Sequence, residues 1–196
     1  MLISLFRGFV KIVFLLLYRV QIIGIENVPQ SGPLILCANH NGEMDMFFIG
    51  YKLKRLVHYM AKEELFKNPI LGAFFRWLGA FPVKRGKADV EAIKNSLRLL
   101  ENNEIFGIFP EGTRMKKKDA KTVRAKPGVA LIAQKSGAPI IPVAVSGRYR
   151  PFSKIKVVFG KPFSIDLDKN KKYTNSELVE ISQSIMSKVY ALLEEN

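Results

Sequence analysis

Apolar runs broken by short polar turns set the rhythm of this chain. Leu34-Ile35-Leu36-Cys37-Ala38 is continuously apolar and reads as a buried strand. It is entered through the turn-rich Val28-Pro29-Gln30-Ser31-Gly32-Pro33. A polar stretch follows, Asn39-His40-Asn41-Gly42-Glu43-Met44-Asp45, and residues 44–54 then read as a helix. Residues 56–61 read as a strand. Residues 62–78 read as mostly helical and are rich in aromatics (Phe66, Phe74, Phe75, Trp77), which suits an acyl groove, a membrane contact or an ordinary core equally. Residues 88–102 form the clearest amphipathic pattern, with Val90, Ile93, Leu97 and Leu100 on one face. Residues 105–109 are a short apolar strand that delivers a second polar island, Phe109-Pro110-Glu111-Gly112-Thr113-Arg114. Pro127 opens a further helix, Gly137-Ala138-Pro139 breaks it, and residues 140–145, 156–159 and 163–165 read as strands. From Asn175 the stripe Leu178, Ile181, Ile185, Val189, Leu192 marks a closing helix.

Strands alternating with helices predict an α/β fold, a single domain with a mixed, partly parallel sheet flanked by helices. That domain is expected over residues 25–196. Residues 1–24 stand apart as an N-terminal amphipathic, membrane-associated helical segment. Arg7, Lys11 and Arg19 are spaced through it, and the longest uncharged run after Lys11 is Ile12 to Tyr18. A spanning helix needs ~20 apolar residues, so the expectation is a helix lying at the interface with its cations reaching outward. A core helix is the first alternative. A signal peptide is the second, but Val20-Gln21-Ile22-Ile23 offers no small-residue cleavage site.

Composition narrows the class. At 196 residues the chain suits one domain with a sizeable core, and at 48% hydrophobic it is not a disordered chain. Its single cysteine, Cys37, excludes an internal disulfide and suggests a reducing compartment. The net charge of +14 implies anionic partners, for which nucleic acid and anionic lipid both qualify.

The two polar islands carry the candidate chemistry. His40 and Asp45, five apart at a strand-to-helix turn, can reach each other. The carboxylate then fixes the imidazole tautomer and leaves the other ring nitrogen as a general base. Cys37 is three residues before His40, and odd spacing on a strand puts the two on opposite faces, so a Cys-His pair is rejected. His58 has no partner motif and reads as structural. No credible zinc set and no glycine-rich nucleotide fingerprint occur.

Four blocks in order make the chain similar to the glycerolipid acyltransferase family, the lysophosphatidate acyltransferases and their relatives. They are N-H-x-x-x-x-D (Asn39 to Asp45), Gly79-Ala80-Phe81-Pro82-Val83-Lys84-Arg85-Gly86, F-P-E-G-T-R (Phe109 to Arg114) and the proline-containing strand Ile140-Ile141-Pro142-Val143-Ala144-Val145. The first alone is weak; the third, and the order of all four, are specific. The resemblance covers roughly residues 25–165. Gly42 departs from it, because the family often has serine there.

The resemblance implies acyl transfer from a thioester, acyl-coenzyme A or acyl carrier protein, to the sn-2 hydroxyl of 1-acyl-sn-glycerol 3-phosphate, giving phosphatidate. His40 is the implied base and Asp45 its partner. Arg85, Glu111, Gly112, Thr113 and Arg114 are the implied acceptor-binding residues, with Glu111 orienting an arginine or meeting a glycerol hydroxyl. No enzyme nucleophile is needed, in keeping with the absence of G-x-S-x-G. No tightly bound cofactor, metal or nucleic acid is expected. The basic residues 115–126 suit lipid headgroups, an acidic carrier protein or coenzyme A phosphates, or are a solvated loop. The expected location is peripheral or monotopic on the cytoplasmic face of the cell membrane, at an anionic surface. Another lysolipid or glycerol 3-phosphate is an alternative acceptor. A basic nucleic-acid-binding protein accounts for the charge but not for the motifs, and no nucleic-acid module is recognisable. An inactive membrane scaffold fits poorly with a complete set of motif residues.

Overall fold

The computed structural model of the chain describes residues 5, 8, 12, 16–50, 52–84, 89–112 and 125–194. In chain order the elements are β1 (Arg19–Ile23), a 3-10 turn (Ile25–Asn27), β2 (Leu34–Ala38), α1 (Asp45–Gly50), β3 (Val57–Lys62) and a second 3-10 turn (Glu63–Phe66). They continue with α2 (Pro69–Trp77), β4 (Phe81–Val83), α3 (Val90–Glu101), β5 (Ile105–Ile108), α4 (Gly128–Ser136), β6 (Ile140–Gly147), β7 (Lys154–Phe159) and α5 (Asn175–Glu194).

Among the described residues seven strands form one sheet in the order β1-β7-β6-β2-β5-β3-β4. All neighbours are parallel except β6 and β7. The central strand β2 shows why the sheet is covered on both faces. Leu34, Leu36 and Ala38 join one apolar cluster with Phe48 and Ile49 of α1, while Ile35 and Cys37 join another with Val129 and Ile132 of α4 and Ile185 and Val189 of α5. Successive side chains on a strand point to opposite faces, and helices on both faces make a parallel strand read as one apolar run. The carboxyl ends of β2, β3, β5 and β6 share one edge of the sheet. In open α/β sheets that edge is where ligands bind, and both polar islands lie on it.

Several expectations need correcting. Residues 19–23 belong to the sheet and not to the N-terminal helical segment. Arg19 pairs with Lys154 and Ile23 with Val158 in a parallel ladder. Val20 and Ile22 alternate with Arg19 and Gln21, and the two apolar side chains pack on the first cluster. Upstream, Leu5, Gly8, Ile12, Leu16 and Leu17 are helical, with Leu5, Ile12 and Leu16 well exposed. The rest of the expected anchor lies outside the described residues. No helix among the described residues is long and apolar enough to cross a membrane.

The helix expected over 44–54 closes at Gly50, where the Leu53 N–H turns back to the Gly50 carbonyl. Residues 163–165 make no strand. Phe163 alone bridges Ile140 through a reciprocal pair of backbone bonds at 2.8 and 2.9 Å, and Pro162 beside it has no N–H to extend the ladder. Val90, expected on the buried stripe, opens α3 and is 64% exposed; Ala92, Ser96 and Leu100 form its buried line.

Candidate active site

Where β2 ends, side chains take over the ladder. The Asn39 amide donates to the Val145 carbonyl at 2.9 Å and accepts from the Val145 N–H at 2.8 Å. Asn39 thereby extends the β2–β6 pairing by one residue beyond Ala38 and Val143. Asn41 adds a further bond to the Val145 carbonyl at 2.7 Å. Asn39 is buried, so both its polar groups need partners, and it fixes the start of the loop that carries His40.

The imidazole of His40 meets the Asp45 carboxylate through Nδ1 and Oδ2 at 2.8 Å. Asp45 is fully buried in the first turn of α1. Its Oδ2 also accepts the Asn41 N–H at 2.7 Å and the Gly42 N–H at 2.9 Å. Its Oδ1 accepts the Tyr149 hydroxyl. A carboxylate surrounded by donors only accepts, so Nδ1 of His40 carries a hydrogen, and in the neutral ring Nε2 carries the lone pair. The other side of the ring stacks on Phe109, with centroids 4.4 Å apart at 21°. Phe109 stacks in turn on Tyr59. The His40 side chain keeps 12% of its surface. Chemically, this is a tautomer-locked, half-enclosed base at the carboxyl edge of the sheet.

Glu111, at the end of β5, is 5% exposed. One carboxylate oxygen accepts the His40 backbone N–H at 2.9 Å, and the other accepts the Tyr190 hydroxyl of α5 at 2.7 Å. The resemblance puts this residue at the acceptor. The structure has it fastening the main chain of His40 to the end of β5 and to the closing helix. Both carboxylate oxygens of Glu111 are thus held by protein donors.

Burial holds Glu111 above the ordinary carboxylate range, while Tyr190 and the His40 N–H pull it down. An acid raised in the folded state loses folding stability as pH climbs from its unfolded to its folded value. Tyr190→Phe removes a donor to the charged form. Its destabilisation is expected to be larger at about pH 7 than at about pH 4, by ~1–3 kcal/mol, in urea melts. Equal losses at both would mean that Tyr190 contributes packing alone.

Gly112 has φ +67°, and Lys126 packs 2.6 Å from where its Cβ would stand. The left-handed backbone is what calls for glycine at this position, since the Lys126 side-chain end can move aside. Arg85, Thr113 and Arg114 lie outside the described residues, as do residues 115–124 of the basic loop. Cys37 faces away from His40: its sulfur is 3.7 Å from that of Met186, and burial pushes the thiol up. His58 bonds the Gly79 carbonyl at 2.9 Å from the opposite end of the sheet, a structural tie. Among the described residues no group of three or more His, Cys, Asp or Glu is placed to hold a metal.

The sequence placed Asn39 in the first motif block without giving it a task, and it gave no role to Tyr149 or Tyr190. Tyr190 did leave a trace. It lies beside Val189 on an apolar helix face, and a buried tyrosine needs a partner for its hydroxyl. Tyr149, between two arginines after β6, leaves none.

Residues 19–146 match a family model described as Acyltransferase. The 1-acyl-sn-glycerol-3-phosphate acyltransferase of Bacillus subtilis (strain 168) is 35% identical over 161 residues, covering 78% of this chain and 77% of that protein. The chloroplastic 1-acyl-sn-glycerol-3-phosphate acyltransferase BAT2 of Brassica napus is 30% identical over 133 residues, 66% of this chain and 38% of that one. Among solved structures, the 1-acyl-sn-glycerophosphate acyltransferase of Thermotoga maritima superposes with a TM-score of 0.70 at 27% identity, covering 96% of this chain and 77% of that one.

Proposed function

The chain belongs to the acyltransferase family, and on that premise we propose that it acylates the sn-2 hydroxyl of 1-acyl-sn-glycerol 3-phosphate to give phosphatidate, with His40 as base. The single observation that carries the reading is the His40–Asp45 pair with Nε2 left to the solvent edge, in a chain that covers most of a bacterial relative named for this reaction. In the reaction, Nε2 takes the proton of the acceptor hydroxyl as its oxygen attacks the thioester carbonyl. The tetrahedral intermediate collapses, the ester forms, and the C–S bond breaks. The imidazolium then returns its proton to the leaving thiolate. Asp45 stabilises the imidazolium in the interval, the part its counterpart plays in the serine-protease triad. The acyl donor is a coenzyme A or carrier-protein thioester, and the acceptor's phosphate is assigned to Arg85 and Arg114 by their motifs.

A membrane surface supplies the acceptor in this reading, on the cytoplasmic face. The helix α2 supports it. Asn68 caps α2 by accepting from Ile70 and Leu71 at 3.0 and 3.1 Å, and the helix begins at the same sheet edge as His40. Ile70 is 79% and Leu71 48% exposed, with Leu65 exposed nearby. Lys62 and Lys67 are exposed around them. Exposed apolar tips with Lys62 and Lys67 beside them, and with Glu63 and Glu64 in the preceding turn, suit a bilayer surface. Ile70→Glu with Leu71→Glu is expected to lower co-sedimentation with phosphatidylglycerol vesicles severalfold; unchanged co-sedimentation would remove α2 from the contact.

The direct test is thiol release by the purified chain with palmitoyl-coenzyme A or palmitoyl carrier protein, offered lysophosphatidate, glycerol 3-phosphate or lysophosphatidylcholine. Turnover with lysophosphatidate is expected. Turnover with another acceptor alone would change the substrate and keep the class.

A further inference from the structure

Tyr149 reaches into the His40–Asp45 pair from the loop after a strand that carries neither residue. It lies two positions beyond β6, and its ring crosses the carboxyl edge to lie over Gly42 and beside Phe48, whose centroid is 5.4 Å away. Its hydroxyl donates to Oδ1 of Asp45, the oxygen that does not face His40. Gly42 makes this possible. A Cβ there would stand far inside contact distance of Cε2 and Cδ2 of the tyrosine ring. The backbone N–H of Gly42 meanwhile holds Oδ2 at 2.9 Å. One residue thus gives up its side chain to admit the ring and uses its main chain on the other oxygen of the same carboxylate.

We propose that Tyr149 is a positioning residue for acyl transfer: its hydroxyl pins Oδ1 of Asp45 so that Oδ2 stays on Nδ1 of His40, and Gly42 is the space that admits it. This rests on the reading of His40 as the base. The geometry favours it over simple packing. A carboxylate pivoting about its Cβ–Cγ bond sweeps both oxygens, and the three N–H donors all act on Oδ2. Among the described residues only Tyr149 holds the other oxygen. Burial and the neighbouring Asp45 both push the Tyr149 phenol up, so it remains a donor across the working range.

Tyr149→Phe keeps the ring and removes the hydroxyl. With palmitoyl-coenzyme A and lysophosphatidate, kcat is expected to fall ~10-fold or more with the acceptor KM unchanged. The acid limb of the pH–rate profile is expected to move to higher pH, because Asp45 with one donor fewer favours the imidazolium more strongly. Among the described residues the other titratable groups facing the pair are Glu111, through the His40 main chain, and Tyr59 beneath Phe109, and neither changes in this variant. Gly42→Ala is expected to displace the ring and lose activity to a similar degree. The double substitution should then cost no more than the larger single one, since both remove the same bond. Wild-type protein without turnover on any acceptor would overturn the acyl-transfer reading and this role together. An active wild type matched by Tyr149→Phe in kcat and in pH profile would overturn the role of Tyr149 alone.

Discussion

His40→Ala is expected to cut turnover by ~10²–10⁴-fold while the protein stays folded. The loss follows from position. Nε2 lies at the carboxyl edge, and among the described residues nothing in the adjoining network can replace it. Asp45 is fully buried behind the ring, Glu111 is held by the His40 N–H and Tyr190, and Cys37 faces the other apolar cluster. The fold survives because the anchoring bonds belong to the main chain. The N–H of residue 40 still meets Glu111, and Asn41, Gly42 and Tyr149 still satisfy Asp45. What is lost in stability is the stack on Phe109, about 0.5–1.5 kcal/mol, and one of the hydrogen bonds to the Asp45 carboxylate, about 1–3 kcal/mol. The check is thiol release beside a urea melt. A fully active His40→Ala protein would end the base assignment; a protein that unfolds would show that the ring is structural.

The residues that make up this site differ in how far they could be read from order along the chain. His40 and Asp45 were legible because they are close in sequence and straddle a strand end and a helix start, so that local geometry alone brings them together. The sheet was legible in outline because β2, β5 and the first six residues of β6 are almost wholly buried and apolar. β1 was not, since Arg7, Lys11 and Arg19 drew the first residues into one interfacial pattern. Its strand character depends on a partner, β7, far along the chain. Glu111 could be located but not given its task, because the task depends on Tyr190, which α5 brings in from 79 residues away. Tyr149 is 104 residues from Asp45. Contacts of that range depend on which strand lies beside which. The order β6-β2-β5 places three chain segments on one edge, and no periodicity reports it.

Asp45 separates charge from architecture, and two substitutions should divide its effects. Asp45→Asn has one orientation that fits. Oδ2 faces three N–H donors, from His40, Asn41 and Gly42, so the amide oxygen must take that place. The NH₂ group then points at Tyr149, whose hydroxyl oxygen can accept. The imidazole tautomer is retained and the fold is kept, but the negative charge that stabilises the imidazolium is gone. Turnover is expected to fall ~10²-fold or more, with the acid limb of the pH–rate profile displaced to lower pH, opposite to the displacement expected for Tyr149→Phe. Asp45→Ala removes the acceptor altogether. Two backbone N–H groups, an imidazole N–H and a phenol are then left in a buried site without a partner, at a cost of ~1–3 kcal/mol for each group that water cannot reach. That variant should lose several kcal/mol of stability in urea melts as well as its activity. If Asp45→Asn melts as early as Asp45→Ala, the ionised charge itself holds the loop together. If both melt like the wild type, the four donors find water, and the carboxylate serves the chemistry alone.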